Sequence, residues 1–394
     1  MAIKTILKPL GESAACGFRS WIFAGDIARF ESTPSEGDIL ALYDRTGQRF
    51  LAWAFFEGTG ALAAKIFSFQ FERPFSPELL RARIMRAYQL RLSLGYSPQE
   101  AFRVLNAEGD QVPGLVIDWY SGLAVVHVGT PGLWRHKTWL SDMIHTELGA
   151  EITYMTCDLS SKAPSEATAP LWIGKLTQTH WPFVLQGRPR QWYPDSHQKT
   201  GAYLDQVSNH AKVGALAKHK VVWDLYSHAG GFAVACAQSG AQEVLAIDSS
   251  KAALASLHQQ AQVLNLSQIQ TRQEDIANFF AQSPSLRRPD LIILDPPKLV
   301  ASRGQKAAGL RHYFKINELA LRALAPEGIL VSFSCSGRVD LPEWISLITS
   351  VLRRNKRQGR IHEILGAGRD HPFDPHLPES HYLKGVILTL SDAL

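Results

Sequence analysis

The residues that could do chemistry in this chain stand directly behind short apolar runs. Three runs are followed by a glycine turn, a carboxylate and a cysteine respectively: Val221–Leu225 before Gly230, Leu291–Leu294 before Asp295, and Ile329–Phe333 before Cys335. If these runs are parallel strands of one sheet, their carboxyl ends lie along one edge, where sheets of this kind bind ligands. The pattern therefore predicts one site that combines a turn, an acid and a thiol.

The same apolar runs predict the fold around them. They alternate with stretches of helix length, for example Ser250–Leu264 after the run Val244–Ile247, and Phe314–Leu324 before the run at 329–333. Strands that alternate with helices predict a parallel sheet with helices on both faces. We therefore expect an α/β, doubly wound, Rossmann-like domain over residues 189–394.

The first predicted strand leads into a turn that could approach a ligand closely. The segment runs from Asp224 through Tyr226, Ser227 and Gly230 to Phe232, and an apolar helix follows it. Glycine lets the backbone come near a ligand, and the start of a helix favours polar or anionic groups. The spacing is not the GxGxxG of dinucleotide enzymes. A Gly-Gly pair is also compatible with a plain strand-to-helix turn, and both interpretations stay open.

Two further acids follow predicted strands. Asp248 stands about twenty residues beyond the glycine turn, where a carboxylate can accept hydrogen bonds from ribose hydroxyls. The alternative is that it helps to cap the helix that begins near Ser250. Asp275 is predicted to end the next strand, on the side where an adenine would lie. Acidic residues are common in loops, so this position carries less information.

Asp295 and Cys335 are the candidate catalytic residues. Pro296 and Pro297 fix an extended backbone and remove two N–H donors, which holds the Asp295 carboxylate in place. Cys335 follows a strand in a polar loop, where an accessible thiolate would be a strong nucleophile. The alternatives are a structural Pro-Pro turn and a buried structural cysteine.

The N-terminal half has a different pattern. Short apolar runs separated by turns, such as Trp21–Phe23 and Leu51–Phe55, predict a compact β-barrel over residues 1–72. A predicted helix at Pro77–Leu94 and a predicted strand pair indicate a small α+β domain over residues 73–188.

Composition sets further bounds. The 394 residues are 45% hydrophobic and 20% charged, which is typical of a globular protein. The four cysteines are scattered, so neither a disulfide framework nor a metal site is expected. No apolar run is long enough to span a bilayer, and we expect a cytoplasmic protein without membrane contact. A net charge of +5 permits a nucleic-acid partner without requiring one.

Taken together, these segments resemble a known family along nearly the whole chain. The sequence is similar to the bacterial ribosomal-RNA large-subunit methyltransferases that carry an N-terminal PUA-type RNA-binding barrel, a group that contains the 23S rRNA cytosine-C5 methyltransferase. The matching segments are His197–Gln206, Asp224–Phe232, Asp295–Lys298, Phe333–Gly337, Asp370–Pro372 and Pro378–Gly385.

The resemblance implies a cofactor and roles for individual residues. It implies that S-adenosyl-L-methionine (SAM) lies among the residues from Asp224 to Phe232 and the acids Asp248, Asp275 and Asp295. It further implies a cover over the cofactor that contains Lys199, Tyr203, Asp205 and Gln206, and a nucleophilic Cys335.

The expected activity is methyl transfer to C5 of a cytosine in large-subunit ribosomal RNA. One alternative is methylation of a guanine nitrogen or an exocyclic amine in RNA, which needs no nucleophilic cysteine. Another is an RNA-binding or assembly protein that keeps the fold without catalysis. The exact RNA, the base that removes the C5 proton and the oligomeric state stay open, a homodimer being among the options.

Overall fold

The computed structural model describes residues 2–157, 169–177, 179–194, 202–282, 286–302 and 304–391. The chain divides into two compact units, the first comprising Met1–Gly201 with Arg369–Ser380, and the second Ala202–Gly368 with His381–Leu394. Lys199, predicted from the resemblance to cover the cofactor, lies outside the described residues.

The described helices and strands of the first unit are as follows: β1 (Ile3–Leu7), α1 (Pro9–Cys16), β2 (Trp21–Phe23), β3 (Ile27–Phe30), β4 (Ile39–Tyr43), β5 (Phe50–Phe56), β6 (Leu62–Ser68), α2 (Pro77–Ser93), β7 (Ala101–Asn106), β8 (Leu115–Tyr120), β9 (Leu123–Val128), α3 (Pro131–Trp134), α4 (Lys137–Leu148), β10 (Ile152–Cys157), β11 (Leu171–Ile173), β12 (Trp181–Leu185) and β13 (Arg188–Trp192).

Those of the second unit are α5 (Val207–Gly214), β14 (Val221–Leu225), α6 (Gly231–Gln238), β15 (Glu243–Asp248), α7 (Lys251–Val263), β16 (Ile269–Gln273), α8 (Ile276–Gln282), β17 (Leu291–Leu294), α9 (Lys306–Ala323), β18 (Ile329–Ser334), α10 (Leu341–Arg354), β19 (Gln358–Gly366) and β20 (Lys384–Ser391).

The first unit holds two larger sheets, each with its own core. Strands in the order β2-β6-β5-β4-β1-β3 form a mixed sheet around a cluster that includes Leu7, Leu40 and Ile66. Strands in the order β11-β10-β9-β8-β7 form the second sheet, and α2 and α4 contribute Ile84 and Ile144 to its core. Two runs predicted as strands, Trp21–Phe23 and Leu51–Phe55, lie in β2 and β5 of the first sheet.

A buried arginine ties α2 to the segment at 369–380 within the first unit. Arg91 is fully buried, and its guanidinium donates to both carboxylate oxygens of Asp110, at 2.7 and 2.6 Å. It also donates to the carbonyl oxygen of Asp370 at 2.8 Å. These paired bonds offset the cost of removing the charge from water.

The second unit is built on one sheet with the strand order β16-β15-β14-β17-β18-β20-β19. Strands β14 to β18 are parallel, whereas β20 lies antiparallel between β18 and β19. The chain leaves β14 towards β15 and β16 and then returns to β17 on the other side. The carboxyl ends of β14 and β17 therefore form the switch point where such sheets bind ligands.

Helices cover both faces of this sheet, as predicted for a doubly wound domain. Val222 and Ile293 face a cluster with α6 and α7, whereas Trp223 and Ile292 face a cluster with α8, α9 and α10. Because both faces are buried, the central strands are nearly continuous apolar runs, and β14 is interrupted only by Asp224. This property made Val221–Leu225 and Leu291–Leu294 recognisable with their observed bounds.

One helix begins earlier than predicted. The sequence pattern predicts a helix that begins at Phe314, whereas α9 begins at Lys306. Gly309 lowers helix propensity and hides the first turns from a pattern search. Its role is close packing, because a Cβ atom at Gly309 would lie 2.4 Å from the carbonyl oxygen of Leu299.

The three-domain division of the sequence stays a prediction, with boundaries after residues 72 and 188. No helix among the described residues combines the length and the apolar character that a bilayer crossing requires.

Candidate active site

Asp224 is the buried acid of the first strand end. Its side chain is 1% exposed, and Oδ2 accepts a hydrogen bond from the backbone N–H of Ala233 at 2.9 Å. Oδ1 is buried and has no partner among the described residues. Burial raises the pKa of Asp224 to about 8 against the opposing Ala233 bond, and the charges of Asp295 and Asp248 add to the rise. This carboxyl group would accept a donor from a ligand.

The turn after β14 has an unusual backbone. Tyr226 and His228 have positive φ angles of 63° and 49°, and Gly230 follows at 79°. Such conformations cost free energy in non-glycine residues and are frequent at functional sites. A Cβ atom at Gly230 would lie 2.2 Å from Leu257, so only glycine fits there. The Oγ atom of Ser227, inside the turn, is buried without a partner among the described residues.

Asp248 fixes this turn from the end of β15. Its Oδ2 accepts from the N–H of His228 at 2.9 Å, and Oδ1 accepts from the N–H of Ser250 at 2.8 Å. Ser250 is the N-cap of α7. The capping role considered for Asp248 is therefore present, and the proposed ribose contact stays a prediction.

Asp275 has a local role in the structure. It is exposed and lies two residues beyond β16, and its Oδ1 accepts from the backbone N–H groups of Ala277 and Asn278, at 2.9 and 3.3 Å, at the start of α8. Its predicted position near an adenine stays a prediction.

Asp295 is held by a residue from before the sheet. Gln206 donates from Nε2 to Oδ2 of Asp295 at 2.9 Å, while Gln206 Oε1 accepts from Asn209 at 2.6 Å. Asn209 in turn donates to the carbonyl oxygen of Gly366 at 2.9 Å. Burial and the charge of Asp205 raise the pKa of Asp295 to about 7, against the lowering effect of the Gln206 bond. This carboxyl group is thus neutral in part of its population near pH 7.

Tyr203 and Asp205 lie at the same edge of the sheet as Asp295. The ring of Tyr203 packs edge-on to His228, with 5.0 Å between centroids. Burial of its hydroxyl raises the pKa of Tyr203 to about 12, and the charges of Asp295, Asp205, Cys335 and Asp248 contribute. Asp205 Oδ2 accepts from the hydroxyl of Tyr382 at 2.7 Å. Of the predicted cover residues, Tyr203 and Gln206 thus contact the loops that follow the strands.

Cys335 lies one strand away from Asp295. It is half-buried, and its Sγ donates to the carbonyl oxygen of Pro296 at 3.7 Å. The neighbouring Ser336 joins the two loops, because its Oγ accepts from the N–H of Val300 at 3.1 Å and bonds the hydroxyl of Tyr313 at 2.9 Å. The acid and the thiol therefore stand on two loops that are tied together.

From the sequence, no role was predicted for four residues of this site: Asn209, Tyr313, Tyr382 and Lys384. Tyr382 and Lys384 nevertheless stand in a matching segment. Lys384 is 1% exposed and donates to carbonyl oxygens of the loop that follows Cys335. For Lys384, the only further signal in the sequence was its position at the start of an apolar run.

The unpaired buried atoms suit a ligand with several donors. Asp224 Oδ1, Ser227 Oγ and Asn209 Oδ1 all lie near the switch point and lack partners among the described residues. Buried polar groups are usually satisfied, so such a group calls for a missing partner. No cluster of three or more metal-ligating side chains occurs in the part of the chain that the structure describes.

Comparison with known proteins agrees with this architecture. Residues 6–69 match the PUA-like domain family, and residues 204–363 match the family Conserved hypothetical protein 95. Ribosomal RNA large subunit methyltransferase I of Aeromonas salmonicida is 29% identical over 377 residues, which cover 93% of this chain and 94% of that protein.

Two solved structures have the same fold over almost the full length. A candidate SAM-dependent methyltransferase from Streptococcus mutans has a TM-score of 0.85 at 17% identity. The superposition covers 99% of this chain and 100% of the other protein. A candidate methyltransferase complexed with SAH has a TM-score of 0.84, also at 17% identity, with the same coverage. The chain thus combines an N-terminal PUA-like domain with a C-terminal Rossmann-like SAM-methyltransferase fold, and it is similar over nearly its full length to ribosomal RNA large subunit methyltransferases I.

Proposed function

We propose that this protein is a SAM-dependent methyltransferase of large-subunit ribosomal RNA that methylates C5 of a cytosine through a Cys335 adduct. The observation that carries the proposal is the pairing of Cys335 with Asp295. The two residues directly follow neighbouring parallel strands, and the Cys335 thiol donates to the carbonyl oxygen of Pro296, the residue after Asp295. Methylation of a nitrogen would not need a thiol beside the acid.

The residues at the switch point fit SAM. The cofactor supplies an electrophilic methyl group on a positively charged sulfur, and its ammonium group and ribose hydroxyls are hydrogen-bond donors. Asp224 Oδ1 and Ser227 Oγ are buried acceptors without partners among the described residues. Asp224, Asp248, Asp275 and Asp295 place four carboxyl groups at the same sheet edge. Tyr203, Asp205, Gln206, Tyr226, Gly230 and Phe232 complete the proposed cofactor site.

Cys335 would activate a base that is otherwise a poor carbon nucleophile. Its thiolate adds to C6 of cytosine, so the Sγ–C6 bond forms and the C5–C6 electron pair moves towards C5. C5 would then take the methyl group that the cofactor supplies; the bond between this methyl carbon and the cofactor sulfur would break, with its electron pair left on that sulfur. Loss of the C5 proton to a base breaks the Sγ–C6 bond and regenerates the thiolate.

Asp295 would stabilise the adduct at the polar edge of the pyrimidine. Addition at C6 places negative charge on the N3 side of the ring. Because the pKa of Asp295 is raised to about 7, its protonated form can donate a hydrogen bond there at neutral pH. The Gln206 bond holds the carboxyl group in position for this contact.

The N-terminal half would supply the grip on RNA. Just beyond the PUA-like match at residues 6–69, Phe71 is 56% exposed and packs against Phe50 and Trp53 of that domain. Exposed aromatic rings stack on unpaired bases with little sequence preference. A cytosine in a loop or an unfolded segment reaches a pocket more cheaply than one in a duplex.

The experiment is methyl transfer from radiolabelled SAM to unmodified ribosomal RNA, followed by nucleoside analysis. Cys335→Ala tests the nucleophile, and Cys16→Ala, which changes an exposed cysteine of the other unit, is the matched control. We expect label in 5-methylcytidine, lost in the first variant and kept in the second.

Two outcomes would overturn the proposal. Label on a guanine nitrogen or an exocyclic amine, unaffected by Cys335→Ala, would assign the protein to the nitrogen methyltransferases. Cofactor binding without label on any large-subunit RNA, naked or in an assembling particle, would indicate a binding protein that keeps the fold.

A further inference from the structure

Lys384 is a buried cation beneath the loop that carries Cys335. It is the first residue of β20 and pairs with Ser334, the last residue of β18. Its Nζ donates to the carbonyl oxygen of Ser336 at 2.7 Å and to that of Val339. With a side chain that is 1% exposed, the ammonium group is enclosed by the protein.

Among the described residues this ammonium group has no carboxylate in ion-pair contact, and it donates to the two loop carbonyls. The charges of Cys335, Asp340 and Glu343 favour its ammonium form from longer range. An isolated buried cation costs several kcal/mol, so a nearby anion would be strongly favoured.

Three further groups near Cys335, two tyrosine hydroxyls and the carbonyl oxygen of Pro296, carry no positive charge. The Tyr203 and Tyr313 hydroxyls are within electrostatic range of the thiol, and the pKa of each is raised, so both are neutral at pH 7. The carbonyl oxygen of Pro296 accepts the S–H bond and favours the neutral thiol. Asp295 precedes Pro296 in the chain, and whenever its carboxyl group is charged it disfavours a thiolate at Cys335.

We propose that Lys384 is the positioning residue that holds the loop from Cys335 to Val339 and keeps Cys335 in its thiolate form at neutral pH. The inference deepens the proposed function and rests on it, since a nucleophilic cysteine must be ionised to add to C6. Lys384 acts through Cys335 and through two backbone carbonyls. It needs no contact with RNA or cofactor.

The pH range of the effect follows from the charge of the lysine. Burial lowers the pKa of Lys384 to about 8, while the charges of Cys335, Asp340 and Glu343 oppose the shift. The ammonium form is therefore present below about pH 8, and its field supports the thiolate in that range. Above that pH the lysine loses its charge, and the advantage disappears.

The first test uses the unaltered protein without RNA. The alkylation rate of Cys335 by iodoacetamide is measured from pH 5 to 10, with peptide-resolved mass spectrometry, beside N-acetylcysteine in the same buffers. We expect a midpoint at least about one pH unit below that of the free thiol. A midpoint at or above the free thiol would overturn the proposal, whatever any variant does.

The second test separates charge from hydrogen bonding. Lys384→Gln keeps N–H donors for the two carbonyls but removes the charge, and Lys315→Gln, which changes an exposed lysine on α9, is the matched control. We expect Lys384→Gln to raise the alkylation midpoint by about one unit, which slows alkylation about tenfold at pH 7. The control should match the unaltered protein.

The two proposals fail in distinguishable ways. If Lys384→Gln is folded by circular dichroism and its midpoint is unchanged, the role of Lys384 is purely structural and the inference is wrong. If the midpoint rises but Cys335→Ala still methylates RNA, the thiolate exists while the adduct mechanism is wrong. If both proposals hold, kcat of Lys384→Gln falls about tenfold, together with the shift of its Cys335 midpoint to higher pH. Its KM for SAM stays unchanged.

Discussion

Gln206 Nε2 lies 2.9 Å from Asp295 Oδ2, and this single hydrogen bond joins the segment before the first strand of the central sheet to the loop after the fourth. The bond has a chemical consequence, because it opposes the rise in the pKa of Asp295 that burial and Asp205 produce. Gln206 therefore helps to set the pH at which Asp295 exchanges its proton.

Replacing Gln206 by Leu should move the pH profile of methyl transfer. Without the donor, the pKa of Asp295 rises further above 7, so the protonated form persists to higher pH. We expect the alkaline limb of kcat to shift upwards by a few tenths of a unit, with kcat lowered severalfold at its maximum. The measurement is kcat from pH 6 to 9.5 at saturating RNA and SAM. An unchanged alkaline limb would show that Asp295 does not control it.

Asp224→Asn should stabilise the cofactor-free protein at the expense of cofactor binding. The folded pKa of Asp224, about 8, lies above its ordinary value of 3.8, so the folded state holds a proton that the unfolded state releases. Stability from this group is complete below about pH 4 and is lost as the pH rises towards 8. Asparagine removes that loss and can still accept from Ala233.

The measurement is the free energy of unfolding in urea at pH 5 and pH 8, without SAM. We expect the variant to gain at least about 1 kcal/mol on the unaltered protein between these pH values. Asp142→Asn, at an exposed position of the other unit, should gain nothing. Parallel curves for all three proteins would contradict the assignment of a raised pKa to Asp224.

Gly385→Ala should destabilise the second unit. Gly385 pairs with Phe333 across β18 and β20, and a Cβ atom would lie 2.4 Å from the buried Phe333 ring. The ring cannot withdraw in a packed core, so we expect a loss of about 1–3 kcal/mol in the free energy of unfolding. In Gly366→Ala the nearest atom to a new Cβ is 3.8 Å away, and this variant serves as the control. Equal stability of the two variants would refute the packing argument.

Asp110→Ala should destabilise the first unit far more than the loss of a surface pair. It leaves the fully buried guanidinium of Arg91 without its carboxylate partner, at a cost of about 3–5 kcal/mol. Glu147→Ala removes an ion pair with Arg81, whose side chain is 58% exposed and screened by water, and should cost much less. Urea unfolding of the full chain compares the two. Similar losses would mean that Arg91 finds another partner.

The bounds of some elements were predicted correctly from the sequence and those of others were not, for physical reasons. Val221–Leu225 and Leu291–Leu294 were predicted with their observed bounds, because a strand buried on both faces is a continuous apolar run. The start of α9 was missed, because Gly309 is unfavourable in helices but is needed for contact with the carbonyl oxygen of Leu299. The local pattern cannot report a requirement that a distant loop imposes.

The sequence by itself determined the doubly wound fold and the strand ends that carry Asp224, Asp248, Asp295 and Cys335. These follow from apolar periodicity and from the residues that interrupt it, both of which are local. The tertiary structure decided the partners: Gln206 for Asp295, and Lys384 for the loop of Cys335. Both partners lie far along the chain from the groups they contact. Their proximity arises only when β17 pairs with β14 and β20 inserts beside β18, because hydrogen bonding and burial act between neighbours in space.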